Sequence, residues 1–191
     1  MQKSYIFLAD GFEEIEALAP LDILRRAGMP VATVSINPTL EVTGAHGAKV
    51  TADILLDDED MTAADWLILP GGMPGAANLA ACKPLNDLLK AQAARGSNIA
   101  ANCASPALVL APLGILDGKD ATCYPGMQTH TDAINWIEQP IVTSSNIVTA
   151  HGPGASLLFG LTIAAISTGE AHSHEIGEAM MVYPRNMNAY F

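Results

Sequence analysis

The sequence predicts an α/β domain: a doubly wound sandwich with a mostly parallel central sheet, helices on both faces and a cysteine at a strand-to-helix elbow. Three observations carry that expectation. Short apolar runs alternate with helically spaced ones along the chain, the order that builds successive βα units. Half of the 191 residues are hydrophobic but only 5% are aromatic, the aliphatic profile of strands covered on both sides. The segment Ser97-Asn98-Ile99-Ala100-Ala101-Asn102-Cys103-Ala104-Ser105-Pro106-Ala107-Leu108-Val109-Leu110 passes from small apolar residues through a thiol into a helix-forming stretch. Pro106 suits the first turn of a helix, where its missing N–H removes no hydrogen bond.

Each element follows from local pattern. Ser4 to Ala9 is a short apolar strand ended by Asp10-Gly11. Glu13 to Arg26 reads as a helix, because Ile15, Leu18, Leu21, Ile23 and Leu24 mostly keep helical spacing and Gly28 stops it. Pro20 inside that run predicts a kink or break. Val31 to Ile36 is the next strand, and Leu40 to Ala52 reads as a hairpin or two irregular strands turning at Gly44 and Gly47. Trp66 to Leu69 is a buried strand with Pro70-Gly71-Gly72 at its carboxyl end. Leu85 to Arg95 is an amphipathic helix closed by Gly96; the strand to Cys103 and a helix ending at Gly114 come next. Ala121 to Tyr124, Ile141 to Ser144 and Ile147 to Ala150 are further short strands, the last two joined by Ser145-Asn146. Gly152-Pro153-Gly154 turns into a long apolar helix from Ala155 to Ser167, and a last helix covers His174 to Met181. The tail from Tyr183 to Phe191 reads as a strand-like arm or a disordered end. No repeat, linker or composition shift divides residues 1–191, so one domain is expected.

Nine basic residues against twenty acidic ones leave a formal net charge of -11, which repels phosphate backbones and argues against nucleic-acid binding. No apolar run reaches membrane-span length, and Met1-Gln2-Lys3 leads straight into a strand, so no membrane association is expected. Cys82, Cys103 and Cys123 are odd in number and widely spaced, which suggests neither a disulfide framework nor a metal cluster. The expected location is reducing and cytoplasmic. His130, His172 and His174 show no metal-ligand spacing, and neither a metal nor another cofactor is expected.

In doubly wound sheets, ligands bind beyond the carboxyl ends of the strands. Three segments fall there: Gly11 to Glu16, Gly71-Gly72 and Cys103. An elbow lifts the thiol above the sheet and aims a helix N-terminus at it, which favours thiolate. On those grounds Cys103 is expected to be the most acidic of the three cysteines. The competing reading is a buried, inert thiol, the common fate of a free cysteine.

Leu69-Pro70-Gly71-Gly72 followed by Asn102-Cys103-Ala104-Ser105-Pro106 resembles the ThiJ/PfpI superfamily. Ala9-Asp10-Gly11-Phe12-Glu13-Glu14-Ile15-Glu16, Arg25-Arg26-Ala27-Gly28 and His151-Gly152-Pro153-Gly154 resemble one branch of it, that of Parkinson disease protein 7 (the parkinsonism-associated deglycase) and its bacterial relatives. The resemblance implies a flavodoxin-like or class I glutamine amidotransferase-like sandwich with Cys103 as the functional thiol. It implies Glu16 as the carboxyl beside that thiol, and the N–H groups of Gly72 and Ala104 as an oxyanion hole. Gly71, Ser105, Tyr124 and His46 are candidate site-lining residues. Tyr124 stands where glyoxalase-active relatives carry a histidine, and a tyrosine is a poor base at neutral pH. His46 stands where relatives carry an arginine that reaches the partner subunit's site, and His151 replaces another basic residue. Peptidase-type members carry a histidine immediately after the nucleophile; here it is Ala104, which weakens a hydrolase reading.

Two functions follow from the resemblance. One is an enzyme acting on small reactive carbonyls, of glyoxalase III or deglycase type, with Cys103 as nucleophile, Glu16 as proton shuttle, and a small aldehyde or glycated substrate. The other is a redox sensor or chaperone-like protein whose event is oxidation of Cys103 to sulfinate, held by Glu16. The branch also implies a homodimer.

Overall fold

β1 (Ser4–Leu8) lies inside a seven-stranded sheet, fully buried along its length, as its unbroken apolar run predicts. The computed structural model describes residues 1–129 and 132–183. β2 (Val31–Ser35) and β6 (Trp66–Leu69) flank β1 in parallel, and β5 (Ile54–Leu55) closes that edge beside β2. β7 (Asn98–Asn102) pairs in parallel with β6, and β11 (Ile147–Ala150) with β7. β10 (Ile141–Ser144) is the antiparallel edge strand. β3 (Glu41–Thr43) and β4 (Lys49–Thr51) form the expected antiparallel hairpin. β8 (Asp120–Ala121) and β9 (Asn135–Trp136) make a small parallel pair outside the main sheet.

Helices cover both faces. α1 (Glu14–Arg26), α4 (Ser156–Thr168) and α5 (Glu170–Ala179) pack together on one side. There Ile6, Leu8, Ile68 and Val148 meet Ile23, Leu24, Phe159 and Ile163. α2 (Gly75–Ala81) and α3 (Lys83–Ala94) lie on the other side, where Phe7, Leu67, Leu69 and Ile99 meet Leu79, Leu85 and Leu89. Two apolar layers on either side of one sheet are the doubly wound architecture expected from the sequence.

The chain departs from its local pattern in several places. α1 runs unbroken through Pro20, whose backbone is buttressed by Gly160 of α4: a methyl on Gly160 would lie 3.0 Å from the Pro20 Cα. Tertiary packing thus outweighs the one hydrogen bond that proline forgoes. The helix expected from Cys103 to Gly114 shrinks to a five-residue π-helical segment, Pro106–Leu110, followed by turns. Of the strand expected over Ala121 to Tyr124, only Ala121 is in β8. α2, β5 and β9 have no counterpart in the expectation, and α5 begins earlier than His174. Apart from Tyr183, the tail lies outside the described residues.

Candidate active site

The strand order changes direction at β1, whose successors β2 and β6 lie on opposite sides of it. Beyond the carboxyl ends of β1, β6 and β7 lie Glu16, Gly71-Gly72 and Cys103. The topology therefore converges three segments, far apart in the chain, on the crevice where such folds bind ligands.

Cys103 is a strained elbow. Its φ of 61 is left-handed, rare for a residue with a Cβ and costing about 1–2 kcal/mol. Two bonds hold it there. Its N–H donates to the Ala150 carbonyl (2.9 Å), and its carbonyl accepts from the Tyr124 N–H (2.8 Å). Ser105 is fully buried and donates through Oγ to the Pro70 carbonyl at 2.5 Å, tying the elbow to the loop after β6. Ser105 is thus a brace beneath the site rather than part of its lining.

Glu16, in the first turn of α1, is completely buried. Its backbone N–H is capped by Glu13 Oε2 at 2.7 Å, and Glu13 N–H donates to the Gly71 carbonyl at 3.0 Å. Gly71 N–H in turn donates to Glu16 Oε2 at 2.7 Å, so helix start and loop are locked together around the carboxyl. The second oxygen, Oε1, is buried and accepts from no N–H or O–H donor among the described residues. The carboxyl also interacts with the Cys103 thiol and with the Glu13 charge. Packing here is close: a methyl on Gly71 would stand 2.7 Å from the Cys103 Cβ and 2.8 Å from Glu16 Oε2. Gly72 has φ 88, and a methyl on it would meet the Glu13 nitrogen at 2.4 Å, so only glycine serves.

Electrostatics set the pair's resting state. Burial lifts the Glu16 carboxyl to about 7, against the opposing bond from Gly71. Burial lifts the Cys103 thiol to about 12, and the Glu16 charge adds to the rise. The N–H groups of Gly72 and Ala104 point the other way, each donating toward the sulfur. The depressed thiol expected from the elbow is therefore corrected. The five-residue π-helical segment supplies little dipole, and a buried carboxylate faces the sulfur instead. The thiol therefore rests protonated at neutral pH, while the Glu16 carboxyl gains or loses its proton near pH 7. Cys123 is also pushed up, to about 11, by burial alone.

His46 is not brought to the thiol within the chain. Its Nδ1 meets Glu14 Oε2 at 2.8 Å, and its N–H donates to Glu14 Oε1 at 2.8 Å, fastening the β3–β4 hairpin to α1. The Glu14 contact raises the imidazole's pKa. Burial would raise the Glu14 carboxyl, but the bonds from His46 and Ala48 outweigh it and hold it low. Glu13, Glu14 and His46 are close enough for a shared cation, with donor atoms within 4.8 Å, yet both Glu14 oxygens and Nδ1 are already engaged with one another. The group reads as an ion pair. Tyr124 does flank the elbow, through its backbone bond to Cys103; its ring lies beside Gly152 and the residue is 48% exposed. Among the described residues, no histidine acts on the Cys103 thiol. Sequence reasoning missed Glu13, whose capping role shows only in the fold, although an acidic residue three before another at a helix start is the signal for it.

Residues 2–166 match the DJ-1/PfpI family. The chain is 38% identical over 175 residues to protein DJ-1 homolog B of Arabidopsis thaliana, covering 92% of this chain and 40% of that one. The chain spans less than half the length of the two Arabidopsis thaliana relatives it matches, DJ-1 homologs A and B. It is 32% identical over 178 residues to the glutathione-independent glyoxalase DJR-1.2 of Caenorhabditis elegans, covering 92% of this chain and 94% of that one. Among solved structures, oxidized Toxoplasma gondii DJ-1 superposes with a TM-score of 0.89 at 34% identity, covering 96% of this chain and all of that one.

Proposed function

Because the chain belongs to the DJ-1/PfpI family, we propose that it is a cysteine-dependent, stress-protective enzyme acting on small reactive carbonyls, of glyoxalase or deglycase type. The observation that carries this reading is the buried Glu16 carboxyl facing the Cys103 thiol, with an acidity near neutrality and one oxygen free of other donors. The relative named as a glutathione-independent glyoxalase supports it.

The chemistry follows from that pair. Glu16 takes the thiol proton as the sulfur adds to the aldehyde carbon of a 2-oxoaldehyde such as methylglyoxal. The carbonyl oxygen becomes an alkoxide, stabilised by the Gly72 and Ala104 N–H groups, and receives the proton to give a hemithioacetal. Glu16 then removes the proton on the former aldehyde carbon while the neighbouring ketone oxygen takes up a proton, giving an enediol; the carboxyl returns a proton to the neighbouring carbon as the first carbon's hydroxyl gives up its own, leaving a 2-hydroxyacyl thioester. Water cleaves the thioester, releasing the 2-hydroxy acid and restoring the thiol. The former aldehyde carbon is oxidised and its neighbour reduced within one molecule, so no redox partner is consumed. A base serves this shuttle best when its pKa lies near the working pH, which burial gives Glu16. Early adducts of the aldehyde with amines or thiols would present the same carbon to Cys103.

The test is lactate formation from methylglyoxal, with glutathione and metal excluded, by the protein and by Cys103→Ala and Glu16→Gln. Turnover lost in both variants is the expected result. No turnover by the unmodified protein would overturn the enzyme reading and favour a second one, oxidation of Cys103 to sulfinate. That alternative rests on the same donors: two amides and a protonated Glu16 suit an oxidised sulfur equally well. We also propose that the chain acts as a homodimer. Ile15 and Leu18 on α1 and Leu157, Leu158 and Ile166 on α4 are exposed apolar side chains on two helices that pack together. Three free cysteines fit a reducing, cytoplasmic location.

A further inference from the structure

Methylglyoxal would use little of the space around Cys103. Next to the elbow lies a cavity of about 380 Å³ walled by Tyr124, Pro125, His151, Gly152, Pro153 and Gly154. Both of its walls are anchored to the nucleophile's own peptide groups. Tyr124 N–H donates to the Cys103 carbonyl, and the Cys103 N–H donates to Ala150, the residue before His151. We propose that this cavity is a substituent subsite, in which the Tyr124 ring and Pro153 receive the aromatic group of an aryl-substituted 2-oxoaldehyde bound at Cys103. The inference rests on the carbonyl reading above and names the substrate class for it.

Several observations favour an uncharged aromatic occupant. Tyr124 and His151 are the polar side chains among the residues lining the cavity, and no carboxylate, ammonium or guanidinium is among those residues. The chain's net charge of -11 works against anionic substrates generally. Tyr124 is an exposed aromatic beside a reactive centre: one edge rests over Gly152, where an added methyl would lie 3.5 Å from Cδ2, and 48% of the residue remains open. Such a ring, open and framed by prolines, offers offset or edge-on contact to a second ring. The size is that of a small-ligand pocket. Leu108 and Met127 pack against the Cys103–Ala104 cluster, so the surroundings of the thiol are apolar too.

The experiment compares phenylglyoxal with methylglyoxal in the unmodified protein, Tyr124→Ala and Tyr124→Phe. The readout is the ratio of kcat/KM for the two aldehydes. Removing the ring should lower the phenylglyoxal-to-methylglyoxal ratio by about two- to tenfold, the worth of one aromatic pair, and Tyr124→Phe should keep it. A loss of both activities in equal proportion in Tyr124→Ala would mean a merely structural ring and would overturn the subsite. A second measurement does not need turnover. Each aldehyde, by adding reversibly to Cys103, should protect it from iodoacetamide, read by peptide mass. The same drop in phenylglyoxal preference in Tyr124→Ala is expected there. If neither aldehyde is turned over but the protection ratio moves as stated, the enzyme reading fails and the subsite stands. An unchanged protection ratio refutes the subsite whatever the turnover.

Discussion

Replacing Glu16 with glutamine should make the protein more stable at pH 8 than at pH 5, relative to the unmodified chain. The magnitude comes from the burial of the carboxyl. Its ordinary pKa of 4.5 is lifted to about 7 in the fold, a gap of about 2.5, which at about 1.36 kcal/mol each amounts to roughly 3 kcal/mol. A group that holds its proton more tightly when folded favours the folded state most below pH 4.5. That advantage is lost as pH rises from 4.5 through about 7, and above this the buried charge is fully present. Glutamine has no such dependence. Its carbonyl can still accept from Gly71, while its amide leaves a pH-independent offset of about 1–3 kcal/mol for donors facing a poor acceptor. The diagnostic quantity is therefore the slope. Urea unfolding of both proteins under reducing conditions at pH 5, 6, 7 and 8 should show the difference in stability growing by roughly 3 kcal/mol in favour of Glu16→Gln. Ion pairs such as Glu14–His46 and Arg25–Asp53 are common to both proteins and cancel in the difference. The thiol does not intervene, because its rise to about 12 acts only at higher pH. A difference that stays constant across that range would refute a buried, proton-hungry Glu16, and with it the proton shuttle.

Three further outcomes are expected. Glu16→Gln should lower the Cys103 pKa, since it removes the charge that adds to burial in raising it; the pH dependence of iodoacetamide labelling, mapped to the Cys103 peptide, should shift downward, and an unmoved profile would contradict the pairing. Gly71→Ala should lower stability by about 1–3 kcal/mol and slow labelling of Cys103, because its methyl would meet the Cys103 Cβ at 2.7 Å; an unfolding midpoint and labelling rate unchanged from the parent would show that the loop yields freely. Light scattering at micromolar concentration should give about twice the 19.9 kDa chain mass, and a monomer would leave the apolar face of α1 and α4 without a partner copy.

Much of the fold was legible because strands are written as short runs of apolar and β-branched residues bounded by turn signals. Trp66 to Leu69, Ile141 to Ser144 and Ile147 to Ala150 are found where the pattern puts them. Elements whose existence depends on neighbours were not. β5 and β9 are two residues each and exist only through pairing with β2 and β8. α2 is short and follows a proline-glycine pair that reads as a turn. Pro20 is a local breaker held inside a helix by packing against Gly160. At the site, spacing put Cys103, Glu16 and Gly71-Gly72 at strand ends, but it could not supply their charge states. The acidity of Cys103 depends on how deeply Glu16 is buried against it, a contact between segments far apart in the chain. His46 shows the same limit, since its engagement with Glu14 joins a hairpin to a helix.

The thiol held near 12 has a consequence for selectivity. A cysteine that rests protonated, 8% exposed and wedged against Gly71, is a slow target for bulky or indiscriminate electrophiles and oxidants in bulk solvent. Its nucleophilic form arises when Glu16 accepts the proton, and that transfer is favoured when a carbonyl oxygen sits against the Gly72 and Ala104 amides to receive the charge passed on. The reagent therefore helps to arm the group that attacks it. An unfolded or locally opened chain, in which Cys103 returns to an ordinary thiol, would react with anything, so the folded pair acts as a safety catch as much as a catalyst.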